Sequence, residues 1–311
     1  MTFSYKIKEE ISKLECSKIE HISELSGILC TSSDMKLYSI RVQTENINAA
    51  NRIFDIIQNT YSVTSNIAVK KNYNFKKNEM YVIEVKKDVP EILKDLGLIT
   101  DNSFKIRNYP IDEIVDDEEL KAAFIRGCFL IGGSVNDPKT SRYHLEFIIN
   151  NEEFAEFLKD VLNSYDLNAK TLRRAKGYMV YIKESEKISD LLRIIKAYNA
   201  VLYYEDIRVL REKQNMNNRI NNCEQANVEK SMASSNKQIE DINFIKVEDA
   251  YELLDEKVRK VADYRLKYPE SSLIELSKII SVETGETITK SCVNHRLCKI
   301  RELADRLRES K

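Results

Sequence analysis

The chain of 311 residues carries a net charge of −1 and is 42% hydrophobic, which favours two globular domains without an overall basic surface. It contains no apolar run of the roughly 20 residues that cross a membrane and no signal-peptide pattern, so a cytoplasmic protein without a membrane partner is expected. Six scattered cysteines and three histidines show no metal-binding spacing, which predicts reduced thiols and neither a metal nor a cofactor.

An internal repeat occupies the first two hundred residues. The apolar helical segments ELSGILCTSS (24–33) and FIRGCFLIGG (124–133) carry a glycine at the same point, Gly27 and Gly127. An alternating strand, an amphipathic helix, two further strands and a closing helix follow each segment. Each half is therefore predicted as α-β-α-β-β-α, over about 22–99 and 120–200. The acidic run between them is predicted to be a solvated linker that leads into a helix.

The glycines of the second copy, Gly127, Gly132 and Gly133, allow two interpretations. Small residues let two helices pack closely, so the opening segments of the two halves are expected to form a seam about a pseudo-twofold axis. The alternative is a phosphate-binding loop, which would normally follow a strand and contain a longer glycine pattern. The sequence favours the helix seam.

The C-terminal third is polar first and then helical. Residues 208–246 contain neither glycine nor proline and are predicted to be a mostly helical connector, with a flexible linker as the alternative. Helices are predicted over 247–270, which ends at a proline, and over 271–281, followed by a turn at Gly285. A last helix begins at the N-cap Thr289. Its predicted buried stripe is Val293, Leu297, Ile300, Ala304 and Leu307.

The polar face of the last helix has the residue types of a DNA-recognition helix. Asparagine can pair with adenine, arginine or lysine can pair with guanine, and a helix N-terminus can meet phosphate. The candidate DNA-binding residues are Thr289, Lys290, Ser291, Asn294, His295, Arg296, Lys299 and Arg301. An ordinary amphipathic surface helix also has a charged face, so this pattern alone leaves both interpretations open.

Basic residues recur in the equivalent strand pairs of the two halves. They are Lys70, Lys71, Lys76, Lys77, Lys86 and Lys87 in the first half, and Lys170, Arg173, Arg174 and Lys176 in the second. If the two sheets form a saddle, these residues are candidate secondary contacts to DNA phosphates. A solvated lysine-rich surface is an equal alternative.

A duplicated α/β half that opens with a glycine-bearing apolar helix resembles the LAGLIDADG homing-endonuclease fold. In that family the paired helices form the seam, the sheets form a saddle over DNA, and an acid near the end of each motif holds the catalytic metal. The motifs LSGILCTSS (25–33) and IRGCFLIGG (125–133) put Ser32 and Gly132 at these positions, and neither side chain is an anionic ligand. Asp34 and Asp137 follow at unequal offsets. The resemblance therefore implies no catalytic residues.

Almost the whole chain resembles the WhiA family of bacterial transcription regulators. The segments that carry the resemblance are FSYKIKEEISKLE (3–15), FIRGCFLIGGSVNDP (124–138), NRINNCEQAN (218–227) and TKSCVNHRLCKIRELA (289–304). The chain departs from the family at Cys292, where glycine is usual, and in a longer preceding connection. The resemblance implies an α+β chain: a degenerate, duplicated LAGLIDADG-like α/β domain with pseudo-twofold symmetry over 1–207, a connector over 208–246, and an all-α helix-turn-helix domain over 247–311.

The function that this resemblance implies is sequence-specific binding of double-stranded promoter DNA without nuclease activity, in the bacterial cytoplasm and at the nucleoid. It implies a link to sporulation, cell division or chromosome segregation, with other transcription factors or RNA polymerase as further partners. The alternatives are an active endonuclease and a non-catalytic scaffold for protein partners. Internal duplication removes the need for a homodimer, so a monomer is expected.

Overall fold

The computed structural model describes residues 1–63, 66–71, 79–100, 105–140 and 142–310. The contacts between these residues divide the chain into two compact units, Met1–Arg211 and Glu212–Lys311. Within the described residues, no helix has both the length and the apolar character that a membrane crossing requires.

The first unit contains two copies of one arrangement of helices and strands. After α1 (Phe3–Ile11), the first half comprises α2 (Lys18–Ser32), β1 (Ser33–Lys36), β2 (Ser39–Thr44), α3 (Ile47–Tyr61), β3 (Asn66–Lys71), β4 (Glu79–Val85) and α4 (Val89–Asp95). After a 3-10 helix (Asp112–Val115), the second comprises α5 (Glu118–Gly132), β5 (Gly133–Val135), β6 (Leu145–Ile149), α6 (Glu152–Asn163), β7 (Lys170–Arg173), β8 (Tyr178–Ile182) and α7 (Ser185–Ile194).

Each half has one strand more than the predicted order α-β-α-β-β-α. The additional strands, β1 and β5, begin at the residue after the seam helices α2 and α5 end. They are only four and three residues long, which is too short for an alternating pattern to show in the sequence. The predicted order was wrong on this point, whereas the duplication itself is confirmed.

The strands of each half form one antiparallel sheet, in the orders β1-β2-β4-β3 and β5-β6-β8-β7. One face of each sheet is buried against helices, for example at Ile40 and Val42 in the first sheet and at Leu145 and Phe147 in the second. Because successive side chains of a strand point to opposite faces, the intervening residues lie on the outer face, turned away from the helices. The identical strand orders give the unit its pseudo-twofold architecture.

The seam is formed by α2 and α5, which cross at Gly27 and Gly127. A Cβ atom at Gly27 would lie 2.3 Å from the carbonyl oxygen of Phe124, and one at Gly127 would lie 2.0 Å from that of Glu24. Both distances are far below van der Waals contact, so the two backbones are too close for any residue other than glycine at these positions. The seam interpretation is confirmed, and these glycines serve packing.

The second unit is helical. Helix α8 (Tyr198–Val247) extends through the predicted connector, so the connector is helical rather than a flexible linker. A 3-10 helix (Tyr251–Leu253), α9 (Glu256–Lys267), α10 (Leu273–Thr284) and α11 (Lys290–Glu309) follow.

One predicted helix boundary in the second unit differs from the structure. The helix predicted over 247–270 begins only at Glu256, because Asp249 takes a left-handed conformation with a φ of 53° and separates α8 from α9. The compact unit itself begins at Glu212, within the predicted connector. Ile242 and Ile245 of α8 are buried in the core that α9, α10 and α11 form, so the end of α8 belongs to that core.

Candidate nucleic-acid interface

The turn between α10 and α11 is defined by local capping. A capping box between Ser272 and Glu275 starts α10, and Gly285 ends it with a φ of 71°. The Thr289 hydroxyl accepts a hydrogen bond from the Cys292 amide at 3.3 Å and starts α11. The predicted turn and N-cap are confirmed, and α11 packs against both α9 and α10.

Helix α11 has one buried face and one exposed face. Of the predicted stripe, Val293, Leu297, Ile300 and Ala304 are buried in the core of the second unit, and Leu307 is half-buried. The helical repeat puts an exposed polar group on the opposite side. This outward face of α11 consists of Ser291, Asn294, His295, Cys298 and Lys299.

The other predicted DNA-binding residues differ in their availability. Lys290 is exposed in the first turn, whereas Arg296 is half-buried at the edge of the outward face. Arg301 forms an exposed ion pair with Asp305 at 3.7 Å. The hydroxyl of Thr289 accepts the hydrogen bond that caps the helix, so it has a local structural role.

Two features of the second unit were missed from the sequence. Cys298 lies on the outward face. It follows His295 by three residues and Asn294 by four, and this spacing could have placed it on the same helix face from the sequence. Arg265 of α9 is buried and donates hydrogen bonds to the Ser235 hydroxyl at 3.2 Å and the Ser271 carbonyl at 2.6 Å. It thereby ties α8 and α9 to the segment that precedes α10, and burial lowers its pKa.

In the first unit, Ser32 and Gly132, which the resemblance to homing endonucleases puts in place of catalytic acids, lie at one cleft. Ser32 ends α2, Gly132 ends α5, and both line a cleft of about 960 Å³. A Cβ atom at Gly132 would lie 2.6 Å from Cγ2 of Thr31 and 2.8 Å from the Ile148 carbonyl oxygen. The backbone of β6 therefore excludes a side chain at this position.

The two nearby aspartates are engaged elsewhere. Asp34 is exposed and lies 3.9 Å from the ammonium of Lys36, and Asp137 accepts a hydrogen bond from the Tyr203 hydroxyl at 3.1 Å. Neither lines the cleft. Across the part of the chain that the structure describes, no three His, Cys, Asp or Glu side chains are grouped as a metal site would require.

A lysine provides the positive charge at the end of α5. The ammonium of Lys8 donates to the Ile131 carbonyl at 3.4 Å and lies 5.9 Å from the centre of the Phe129 ring. A cation is stabilised there by the negative end of the helix dipole. Burial lowers the pKa of Lys8 to about 8, against an opposing effect of Glu45. The charge at this helix end is thus supplied by the chain itself.

The described basic residues of the strands lie on both faces of their sheets. Strand register puts Lys70 and Lys170 on the outer faces of their sheets, opposite Met80 and Tyr181. Arg173 lies opposite Tyr178, so its side chain is on the opposite face of the sheet from Lys170.

Of the other basic residues predicted on the strands, two form ion pairs with glutamates and two lie beyond the strand ends. Lys86 pairs with Glu84 at 3.1 Å, and Arg174 pairs with Glu146 at 3.4 Å. Lys87 and Lys176 are exposed beyond the strands. Lys76, Lys77 and the side chain of Lys71 lie outside the described residues. Arg41, which lies opposite Glu84 on the outer face of the first sheet, was missed because β2 was judged only by its apolar alternation.

Family models match all three parts of the chain. The WhiA N-terminal LAGLIDADG-like domain matches residues 18–99, the WhiA LAGLIDADG-like domain matches 121–214, and the WhiA C-terminal HTH domain matches 217–304.

Full-length relatives agree with these matches. The proteins named "Probable cell division protein WhiA" from Staphylococcus aureus strains JH9 and Newman are each 41% identical over 313 residues, covering 99% of this chain and 98% of the relative. The crystal structure of full-length DUF199/WhiA from Thermatoga maritima is 26% identical with a TM-score of 0.59, covering 98% of this chain and 99% of that one. The crystal structure of the N-terminal LAGLIDADG domain of DUF199/WhiA is 27% identical with a TM-score of 0.51, and the match covers 62% of this chain and 90% of that chain. The chain therefore belongs to the WhiA family, with two LAGLIDADG-like domains followed by a helix-turn-helix domain.

Proposed function

We propose that this protein is a sequence-specific transcription regulator that reads double-stranded promoter DNA through α11. The observation that carries this proposal is the outward face of α11, an exposed polar surface on a helix whose other face is packed into the core of the second unit. Side chains held in this way can reach base edges in the major groove. Asn294 is suited to adenine, and Lys290 and Lys299 are suited to phosphate.

The charge of α11 supports the same function. The helix carries six lysines and arginines against three acidic residues, although the whole chain has a net charge of −1. Local positive charge favours association with a polyanion and makes affinity depend on salt. The outer faces of the two sheets are proposed only as secondary contacts, because Lys86 and Arg174 already pair with glutamates.

The biological setting is proposed from the relatives. The names of the Staphylococcus aureus proteins support a role in cell division, and the family resemblance extends this proposal to sporulation or chromosome segregation. DNA as the partner is consistent with a cytoplasmic, nucleoid-associated protein. Other transcription factors or RNA polymerase are proposed as further partners of a monomer.

We expect no DNA cleavage when the full chain is incubated with double-stranded DNA and Mg²⁺ or Mn²⁺. Hydrolysis of this kind needs grouped carboxylates that hold the metal. The ends of the seam helices present Ser32 and Gly132 at the cleft, and the two glutamates that also line it, Glu45 and Glu79, belong to no group of three metal-binding side chains among the described residues. Gly132→Asp should not create activity, because its side chain would collide with Thr31 and with the Ile148 backbone. Specific cleavage that disappears in Asp34→Ala would instead identify the protein as an endonuclease.

Alkylation of Cys298 with a bulky maleimide should weaken specific DNA binding by about tenfold or more, equivalent to about 1.4 kcal/mol. Cys298 is exposed on the outward face of α11, so the added group would occupy the space proposed for the major groove. The matched control is Cys298→Ser, which should bind normally and keep its affinity after the same treatment, although it retains the accessible thiols Cys16 and Cys223. Normal binding by protein labelled at Cys298 would exclude this face as the DNA reader.

A further inference from the structure

A buried cluster of charged side chains lies where α2, α3 and α5 meet. The carboxylate of Glu24 accepts hydrogen bonds from Arg52 and Arg126, each at 3.0 Å. Glu24 and Arg126 are fully buried, and Arg52 is 8% exposed. Beside them, Glu20 pairs with Lys196 at 3.3 Å. These five residues, together with Cys16, are called the seam cluster below.

The sulfur of Cys16 lies between the two guanidinium groups. Nη2 of Arg126 donates to Sγ at 3.1 Å, and Nη2 of Arg52 donates to it at 3.2 Å. Hydrogen bonds from charged donors are the strong class, and cations beside a sulfur favour its anionic form. Burial by itself lowers the pKa of Arg52, but hydrogen bonds and charge from Glu24 and Cys16 outweigh this effect and raise it above its ordinary value.

The cations of the seam cluster outnumber its carboxylates, but one of them, Lys196, has a side chain that is 37% exposed. The cluster contains three cations and two carboxylates. His21 adds no charge, because burial and the neighbouring Arg52 lower its pKa. A buried cation without a counter-charge is costly. The two buried guanidinium groups already pair with Glu24 and Glu20, so what they add at Cys16 is a pair of charged hydrogen-bond donors to Sγ.

A second observation points to an acceptor that the resting cluster does not contain. Nη1 of Arg126 is buried and has no hydrogen-bond partner among the described residues. It belongs to the same guanidinium group whose Nη2 contacts Sγ. An oxygen atom added to the sulfur would be a new acceptor beside this guanidinium group, and buried donors without a partner favour gaining one.

We propose that Cys16 is a modification site at which a hydroperoxide oxidises the thiolate to a sulfenic acid. The sulfur attacks one peroxide oxygen, an S–O bond forms, and the O–O bond breaks. The sulfur loses two electrons, the peroxide gains them, and the released hydroxide or alkoxide takes a proton from water. A small thiol reverses the step by forming a mixed disulfide and water, and a second thiol then frees Cys16.

The other cysteines provide internal controls. Burial raises the pKa of the Cys30 and Cys128 thiols, which makes them unreactive. Cys223 and Cys298 are more exposed than Cys16, which is only partly accessible. Neither receives a hydrogen bond from a cationic side chain in the described structure. On exposure alone, Cys223 and Cys298 would react first. The charged contacts of the seam cluster predict instead that Cys16 reacts first.

The test uses the unaltered full chain with limiting hydrogen peroxide and dimedone, a trap for sulfenic acid, followed by peptide mass spectrometry. Cys16 is expected to be trapped at least about tenfold faster than Cys223 and Cys298. Cys16→Ser confirms the peptide assignment. Equal or slower trapping at Cys16 would overturn the proposal.

A second measurement separates activation by the two guanidinium groups from mere accessibility. The rate of alkylation by iodoacetamide at Cys16 should exceed the rate at Cys298 throughout about pH 6 to pH 8, because charged donors contact Sγ of Cys16. A rate at Cys16 equal to or below that at Cys298 would contradict the proposal. Arg126→Lys should make Cys16 slower, and if this variant does not fold, the two measurements on the unaltered chain still decide.

Discussion

Gly127→Ala is expected to destabilise the first unit by about 3 kcal/mol or more, or to prevent it from folding. A Cβ atom there would lie 2.0 Å from the oxygen and 2.9 Å from the carbonyl carbon of Glu24. These are backbone atoms of α2, so they cannot rotate away as a side chain would. Relief requires α2 and α5 to separate, which would also disturb the hydrogen bonds between Glu24 and Arg126.

The measurement is thermal and urea unfolding of the full chain, followed by circular dichroism. The control is Gly285→Ala, at a position with φ of 71° and nothing within 4 Å of the added Cβ. That change introduces only backbone strain and should cost about 1 kcal/mol. If Gly127→Ala costs no more than the control, the helices do not meet at this glycine.

Asn294→Ala is expected to weaken specific DNA binding by about 1–3 kcal/mol, which corresponds to about 5-fold to 150-fold in Kd. Asn294 is exposed in the second turn of α11 and lies on its outward face. An asparagine there can pair bidentately with adenine, and alanine removes both hydrogen bonds. The half-buried Arg296 lies at the edge of this face, so Arg296→Ala is expected to have a smaller effect.

Fluorescence anisotropy with a native promoter fragment and a scrambled fragment would measure this loss. Arg306→Ala is the matched control, because Arg306 is exposed on the same helix but in its last turn, far from the proposed contact. It should leave the preference for the promoter unchanged. An equal loss on both fragments for Asn294→Ala would assign the residue to phosphate contact, and no loss would remove it from the interface.

The elements that could be predicted well are those with a local signal. Thr289 as the N-cap, Gly285 as the turn, and the apolar spacing from Val293 to Ala304 all depend on residues within a few positions of one another. The strands β1 and β5 were missed because three or four residues contain too little alternation. The end of α8 was assigned to a connector because Ile242 and Ile245 become core residues only when α9 and α11 pack beside them.

The sequence alone determined the duplication, the matching glycines Gly27 and Gly127, and the absence of acids at Ser32 and Gly132, because repeats and motif positions are properties of residue order. Only the tertiary structure revealed that Ile148 blocks a side chain at Gly132. It alone brought Cys16 to Arg126, 110 positions away. Such contacts join residues that are remote along the chain, and no local periodicity encodes which remote side chains will share a buried site.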